Sequence, residues 1–376
     1  MFLRLGATSF GGPAVYIAMM RDEAVTRRRW LDQNEFLDLL GATNLIPGPN
    51  ATEMAIHIGR SRAGWPGLVL AGICFTAPAT AITLVFAWTY VRYGSTPELS
   101  WVLYGIKPIV IGVLIQAVLG LGRSTSRGLL LPSLGVAVLA LYLAGSNEIV
   151  LLLGSGVVFM LVANFRRLRA AGAGFLAAVS TGHMGWGVAI LGTGAAAGAA
   201  APFSLAQLFL TFLKIGAVLF GSGYVLVTFL RADFVHRLGW LTEQQLLDAV
   251  AAGQVTPGPL LSTATFIGYV LGSWQGALLA TVAVFLPSFV LVALSGPLIP
   301  RVRRSPWTAS LLDGVNMAAL ALMAGVTWQL SRDALVDSFS VGIALVGVVL
   351  LIRFRVNSSV LVLLGALTGV AVKALG

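Results

Sequence analysis

The chain reads Asn44-Leu45-Ile46-Pro47-Gly48-Pro49-Asn50, and 210 residues later it reads Gln254-Val255-Thr256-Pro257-Gly258-Pro259-Leu260. Two prolines that flank a glycine cannot continue a helix, because each proline lacks an N–H group and clashes with the preceding turn. One helix must therefore end at each Pro-Gly-Pro segment, and a new helix begins after it with proline near its first turn. The sequence thus predicts two broken helices at matched positions.

The Pro-Gly-Pro segments belong to a repeat that covers most of the chain. The stretch Phe2-Leu3-Arg4-Leu5-Gly6-Ala7 matches Phe212-Leu213-Lys214-Ile215-Gly216-Ala217 at an offset of 210, and after one deletion the offset becomes 209. Further matched pairs are Phe10 and Phe220, Gly11 and Gly221, Arg21 and Arg231, Trp30 and Trp240, Asp38 and Asp248, Trp65 and Trp274, Pro78 and Pro287, Gly105 and Gly314, and Arg123 and Arg332. A register held this long predicts two homologous halves, residues 1–169 and 204–376, joined by an Ala/Gly-rich connector over residues 170–203.

The composition is that of a membrane protein. Of the 376 residues, 57% are apolar and 10% are charged, and the mean hydropathy is +0.91, whereas soluble domains carry about 25% charged residues. The net charge of +10 comes mostly from short arginine clusters between apolar segments. Such clusters indicate cytoplasmic anchors and argue against nucleic-acid binding. The first residues show no basic n-region and no cleavage site, so no cleavable signal peptide is expected.

The apolar segments predict an all-α polytopic membrane protein with about ten spanning helices and two re-entrant hairpins broken at Pro-Gly-Pro. The first half begins with one long apolar segment over residues 2–20. The hairpin segments, residues 34–45 and 50–59, are too short for a hydrocarbon core of ~30 Å. We assume that the hairpin returns to the side of the membrane from which it entered. Basic loops face the cytoplasm, and because they occur at opposite loops of the two halves, the halves must have opposite orientations in the membrane. The sequence therefore predicts an inverted-topology repeat, with a connector that is cytoplasmic or re-entrant.

The helix that begins after Pro49 or Pro259 points free N–H groups and the positive end of its dipole toward the break. Such groups make an anion site, and paired broken segments are the best pointer to the binding site of a transporter. A plain turn between two short helices is the alternative interpretation. Arg4 and Lys214 are matched cations inside apolar segments, which indicates function, although Arg4 is equally explained by snorkelling to the interface.

Five other positions carry weaker signals. Lys107 precedes a proline in an apolar span, and Glu53 follows the first Pro-Gly-Pro, where it is either a proton carrier or a favourable charge in a helix's first turn. His57 is expected to be a packing or interfacial residue. Asp38 and Asp248 recur in both halves and are expected to be structural.

No catalytic constellation is present in the sequence. Cys74 is the one cysteine, and the three histidines, His57, His183 and His236, lack metal-ligand spacing. There is also no Ser/His/Asp set, no phosphate-cradling loop and no paired carboxylates in one apolar segment. We therefore expect no enzyme activity, no metal and no cofactor.

Several motifs together resemble the two-domain, long-chain type of chromate ion transporter. They are Phe10-Gly11-Gly12-Pro13, Arg28-Arg29-Trp30, Pro47-Gly48-Pro49-Asn50, Gly105-Ile106-Lys107-Pro108, Phe220-Gly221-Ser222-Gly223 and Pro257-Gly258-Pro259. The resemblance covers nearly the whole chain. It implies a multi-pass protein of the bacterial inner membrane that exports chromate and confers chromate resistance, with sulfate as the isosteric competitor.

Chromate is a tetrahedral dianion, and its needs match the helix starts, cations and polar side chains above. The candidate substrate-binding residues are Arg4, Gly11, Gly12, Asn44, Pro47, Gly48, Pro49, Asn50, Thr52, Lys107, Lys214, Gly221, Ser222, Gly223, Gln254, Pro257, Gly258, Pro259, Ser262 and Thr263. Glu53 is the candidate for proton coupling. The expected partners are the oxyanion and the lipid bilayer, with a homodimer left open. A carrier of sulfate or another oxyanion, and a membrane enzyme or scaffold, are the alternative functions.

Overall fold

The computed structural model of the protein describes residues 1–9, 13–94, 96–125, 129–165, 202–220, 223–295 and 305–375. Within these residues all regular secondary structure is helical, as the sequence predicts. Residues 170–201 of the connector and the arginine cluster over residues 301–304 lie outside the described residues. The α-helices are α1 (Phe2–Thr8), α2 (Pro13–Arg21), α3 (Gln33–Thr43), α4 (Asn50–Tyr93), α5 (Pro97–Thr125), α6 (Leu130–Leu143), α7 (Glu148–Ala163), α8 (Leu205–Val218), α9 (Leu226–Leu230), α10 (Glu243–Val255), α11 (Thr263–Ser295), α12 (Pro306–Ala334), α13 (Ser338–Arg353) and α14 (Ser358–Leu375).

The order of helices in the first half recurs in the second, so that α8 to α14 correspond to α1 to α7. Short π-helices, Asp22–Arg27 and Arg231–Arg237, follow α2 and α9 at matched positions. Capping boxes begin both α3, through Asp32 and Glu35, and α10, through Thr242 and Gln245. Each cap supplies acceptors to two otherwise free N–H groups. The repeat in the sequence is thus a repeat of local structure.

Each Pro-Gly-Pro segment lies at the tip of a helical hairpin. α4 bends sharply at Ala63 and Gly64, where the glycine has φ 61°, and Gly59 packs directly against Gly67 and Ala71. A straight helix would place residues eight apart about 12 Å from each other. The limb 50–62 therefore folds back on the limb 65–93. α11 bends in the same way at Gly272 and Ser273, and Gly268 packs against Gly276.

The halves are interlocked through their long helices. α5 of the first half packs against α13 and α14 of the second, and α12 of the second half packs against α6 and α7 of the first. Gly105 meets the Gly365 backbone in one contact, and Gly314 meets the Ser155 backbone in the other. Small residues let helix backbones approach this closely. The exchanged contacts are those of a pseudo-two-fold arrangement, and the inverted orientation of the second half stays a prediction.

Four helices are long and apolar enough to cross a membrane, namely α4, α5, α11 with its preceding turn, and α12. Five shorter apolar helices, α6, α7, α8, α13 and α14, accompany them among the described residues. This is the multi-pass all-α architecture that the sequence predicts. The first segment differs from the expectation for residues 2–20, because α1 ends at Thr8, Ser9 is extended and a second helix begins at Pro13. The glycines at 11 and 12 and the following proline account for this break.

The two halves are not in the same conformation. α10 packs against α4, α5, α12 and α14 and buries eight residues, whereas α3 packs chiefly against α4 and buries three. Leu5, Tyr16, Met20, Phe36 and Phe75 lie in an apolar core of the first half that is separate from the main one. The corresponding part of the second half, including Phe212 and Leu247, belongs to the main core. In the first half, α1, α2 and α3 therefore share with α4 a core that is separate from the main core of the protein.

Candidate functional site

The Pro-Gly-Pro segment of each half is bonded to the broken first helix of the other half. The Gly48 amide donates to the Leu219 carbonyl at 2.6 Å, and the Gly258 amide donates to the Ser9 carbonyl at 3.0 Å. Ser9 and Leu219 are themselves matched residues of the repeat, and both end their helices in extended geometry. Each Pro-Gly-Pro segment thus meets the end of the broken first helix of the other half.

Both central glycines are required by backbone geometry. Gly48 has φ 147° and Gly258 has φ 99°, which side chains rarely allow. A Cβ on Gly48 would overlap the Glu53 carboxyl and lie 2.6 Å from Oγ of Ser288. A Cβ on Gly258 would lie 3.0 Å from Cβ of Ala79. Ala79 and Ser288 are matched residues on α4 and α11, so each tip packs against the long helix of the other half.

A cluster of buried polar atoms without hydrogen-bond partners surrounds the two tips. Thr52 and Ser262 are matched hydroxyls of this cluster, and Glu53 and Thr263 form the next matched pair. The full set around the tips is Thr52 Oγ1, His57 Nε2, Gln254 Nε2, Ser262 Oγ and Thr263 Oγ1, together with the Glu53 carboxyl and Ser288 Oγ, which act on each other. Buried polar groups are normally paired, and each unpaired one costs about 1–3 kcal/mol. This concentration indicates a site that a polar ligand completes.

The helix starts at the tips supply backbone donors to the same place. The Thr52 amide donates to the Pro49 carbonyl at 2.8 Å, and the Ser262 amide donates to the Pro259 carbonyl at 3.0 Å. The amides of the first turn that precede them, on Asn50 and Leu260, have no carbonyl one turn earlier in their own helix. Gly223, in the segment that follows the end of α8, lies against Leu260. This segment is therefore next to the second tip, the Pro257-Gly258-Pro259 segment.

The first tip is more accessible than the second. Asn44 is exposed and accepts a hydrogen bond of 2.8 Å from the half-buried Asn50 side chain. At the second tip Gln254 replaces Asn44 and is buried, as are Pro257, Gly258 and Pro259. Tyr16 of α2 donates to the Gly258 carbonyl at 2.8 Å and holds the second tip against the first half.

The matched cations lie in ion pairs with the π-helices. Lys214 Nζ lies 2.5 Å from Oδ1 of Asp233. Arg4 Nη1 lies 3.7 Å from Oε1 of Glu23, and Glu23 is the residue that matches Asp233 in the repeat. The Arg28 side chain, which donates to Glu23, holds the pKa of that carboxyl below its usual range. Both cations therefore have acidic partners, and their contact with a substrate stays a prediction.

Lys107 lies in a contact of its own. It pairs with Oδ1 of Asp248 at 3.0 Å and donates to the Gln244 side chain at 2.7 Å, both on α10. The structure thus joins Lys107 to one of the aspartates that the repeat pattern singles out. Gly11, Gly12, Gly221 and Ser222 lie outside the described residues.

The sequence did not single out two polar residues at the site. Ser288 follows a proline in a long apolar span, and its matched residue is an alanine, so the repeat gives no signal for it. Tyr16 is matched by Leu226 and is likewise present in one half. Both positions differ between the halves, so the repeat gives no signal for either residue.

The fold and these converging breaks define a multi-pass α-helical membrane protein with a polar site between two repeated halves. The family model described as Chromate transporter matches residues 1–160 and 206–370, and the chain therefore belongs to the chromate transporter family. The protein named Chromate transport protein from Cupriavidus metallidurans is 32% identical over 371 residues, which cover 97% of this chain and 90% of the relative.

Two further relatives have similar coverage. The Probable chromate transport protein of Synechococcus elongatus is 31% identical over 91% of this chain and 86% of its own length. The Chromate transport protein of Pseudomonas aeruginosa is 30% identical over 98% of this chain and 90% of its own length. No solved structure matches the chain.

Proposed function

We propose that the protein is a secondary transporter that exports chromate across the bacterial inner membrane and thereby confers chromate resistance. The observation that carries this proposal is the cluster of unpartnered polar atoms at the two Pro-Gly-Pro tips. Four tetrahedral oxygens accept hydrogen bonds from several directions, and the tips offer hydroxyls, amide groups and helix N-termini from both halves. The relatives named as chromate transport proteins support the choice of oxyanion.

The electrical driving force has the sign that export needs. Moving two negative charges out of a cell at about −100 mV releases about 4.6 kcal/mol. The unequal packing of α3 and α10 supports alternating access, in which the mobile parts of the two halves exchange positions around a central site. In this scheme the exposed Asn44 side of the first tip is the open side.

Flux in oriented vesicles tests the proposal. We expect chromate flux that increases with a potential negative on the cytoplasmic side, and loss of flux in Asn50→Ala and Lys214→Ala. Lys373→Ala is the control, because Lys373 is exposed and lies over the Tyr104 ring, away from the tips. Unchanged flux in both site variants would show that the substrate binds elsewhere.

A carrier of sulfate or another oxyanion, with incidental chromate transport, is the second candidate. The tips bind through hydrogen bonds that sulfate, also a tetrahedral dianion, accepts equally well. Competition by sulfate during chromate flux separates the two. Weak competition by excess sulfate supports chromate as the substrate, whereas competition at equal concentration favours the broader carrier.

A further inference from the structure

Two buried titratable side chains lie one turn apart on the short limb of α4. Glu53 is fully buried beside the Ser288 hydroxyl, and no charged side chain among the described residues acts on its carboxyl. His57 is 3% exposed, and its Nε2 is unpartnered. Residues four apart on a helix have their Cβ atoms about 5–6 Å from each other. The two side chains are therefore neighbours on a limb that begins at the first tip.

The surroundings of this pair contain little charge. Ser288 of α11 and the backbone of Gly48 lie beside the Glu53 carboxyl. The long limb of α4 packs against the short limb through Gly67 and Ala71, which meet Gly59, and through Gly72, which meets Ile56. The charged group that acts on His57 is Arg60, one turn further along. Arg60 donates to the carbonyls of Val292 and Ala293 at 2.6 and 2.7 Å, so it has its own partners.

The pair occurs in one half only. At the matched positions the second half has Thr263 and Ile267, although the hairpin itself is the same. The hairpin fold therefore does not require a titratable pair. A packing role for His57, which the sequence suggests, leaves its buried Nε2 unpartnered, and this costs free energy without a gain in packing.

The position of Glu53 conflicts with an anion unless its carboxyl is neutral. Its oxygens face Gly48 at the tip where the unpartnered hydroxyls converge. Two like charges a few ångströms apart in a desolvated site repel each other strongly. An oxyanion and an ionised Glu53 therefore exclude each other, whereas a protonated Glu53 offers an O–H donor to an oxyanion oxygen.

We propose that Glu53 and His57 form a proton-carrying pair, in which Glu53 is protonated whenever an oxyanion occupies the tips and His57 relays that proton from the Arg60 side of the membrane. His57 takes up a proton on one ring nitrogen and passes the proton of the other to a carboxylate oxygen of Glu53. Glu53 releases that proton together with the oxyanion on the opposite side, and its carboxylate is then ready for the next proton. One proton accompanies each dianion, which rests on the proposed function of the protein as an oxyanion transporter.

The charge moved per chromate tests the proposal. Purified protein in vesicles at alkaline pH, where chromate is fully deprotonated, is expected to move about one net negative charge with each chromate, measured as current against tracer flux. Glu53→Gln keeps the volume and a donor but carries no proton, and it is expected to move about two charges while exchange of labelled chromate continues.

His57→Gln tests the relay. Its net flux at alkaline pH is expected to fall about 100-fold, the lower end of what a positioned proton-transfer group contributes. Exchange of labelled chromate at equal concentrations should continue, because exchange requires no proton to leave. Ile267→Val, at the matched position in the second half, is the control and should leave both rates unchanged.

The outcomes distinguish failure of the proposed transport function from failure of the proton-carrying role. Wild-type protein that moves no chromate contradicts the proposed function and this inference with it. Wild-type protein that moves two charges per chromate leaves the transporter intact and overturns the proton-carrying role of Glu53. A His57→Gln variant with undiminished net flux overturns the relay, and loss of labelled exchange in Glu53→Gln would show that the carboxyl serves binding alone.

Discussion

Lys107 of α5 lies 3.0 Å from the Asp248 carboxylate of α10, and the pair connects the two halves of the protein. Tyr90 of α4 donates to the other oxygen of Asp248 at 3.0 Å. In the repeat, Asn316 of the second half matches Lys107. Asp38 of the first half matches Asp248 and is exposed on α3. Asn316 carries no charge and cannot form this ion pair, whereas Lys107 and Asp248 fix α10 on α5.

Removing one member of this pair should destabilise the protein. Lys107→Met leaves the buried Asp248 carboxylate without its cation, and we expect the free energy of unfolding to fall by about 3 kcal/mol. The double variant Lys107→Met with Asp248→Leu removes both charges and should recover most of the loss. Thermal unfolding in detergent measures both changes.

Lys373→Met is the matched control for the lysine, because Lys373 is exposed and contacts the Tyr104 ring. A change within about 1 kcal/mol is expected there. If the double variant were no more stable than Lys107→Met, the ion pair would not be what holds α10 on α5.

The tip glycines should not tolerate a side chain. Gly48→Ala places a methyl group against Glu53 and Ser288 at a φ of 147°, and we expect transport to be lost. Gly154→Ala in α7 is the control, since no atom lies within 4 Å of the added methyl, and alanine favours a helix by up to about 1 kcal/mol. Vesicle flux and thermal unfolding of both variants check this, and an active Gly48→Ala protein would contradict the close packing of the first tip.

Local sequence features predict the helix breaks at both Pro-Gly-Pro segments, but not the break after Thr8, which falls within the single segment expected over residues 2–20. The Pro-Gly-Pro segments end a helix through their own residues, and the repeat is visible by comparing one segment of the chain with another. The cross-bonding of Gly48 to Leu219 was not predictable, because nothing local to either residue specifies a partner 171 residues away. The difference between α3 and α10 was equally hidden, since matched segments predict matched packing.

The candidate site was predictable in part for the same reason. The matched residues Thr52 and Ser262 follow from the repeat, and the structure brings both to the tips. Ser288 and Tyr16 occur in one half only and are found by contact rather than by pattern. The sequence pattern could not decide what Arg4 and Lys214 contact, because a cation inside an apolar segment indicates an acidic partner as readily as a ligand.

The arginines around Glu23 should make the stability of the first half depend on pH. Arg28 holds the folded-state pKa of Glu23 below its usual value of 4.5. A lowered folded pKa means that the stabilisation is present above pH 4.5 and is lost as the pH falls through the folded value. Thermal unfolding at decreasing pH should show this loss, and Glu23→Gln should be less sensitive to pH over that range. Equal sensitivity would assign the loss to other carboxyls.

The matched hydroxyls should affect affinity without affecting stability. Thr52 Oγ1 and Ser262 Oγ have no partner in the unliganded protein, so Thr52→Val and Ser262→Ala should leave thermal unfolding unchanged or slightly improved. Each hydrogen bond to a charged oxyanion contributes about 1.5–3 kcal/mol, which predicts a loss of about 10-fold or more in chromate affinity for each variant. Thr89→Val in the same helix as Thr52 is the control, because Thr89 donates to its own helix at Val85. A loss of stability with affinity intact would show that these hydroxyls serve the fold, whereas the opposite result places the oxyanion between the two tips.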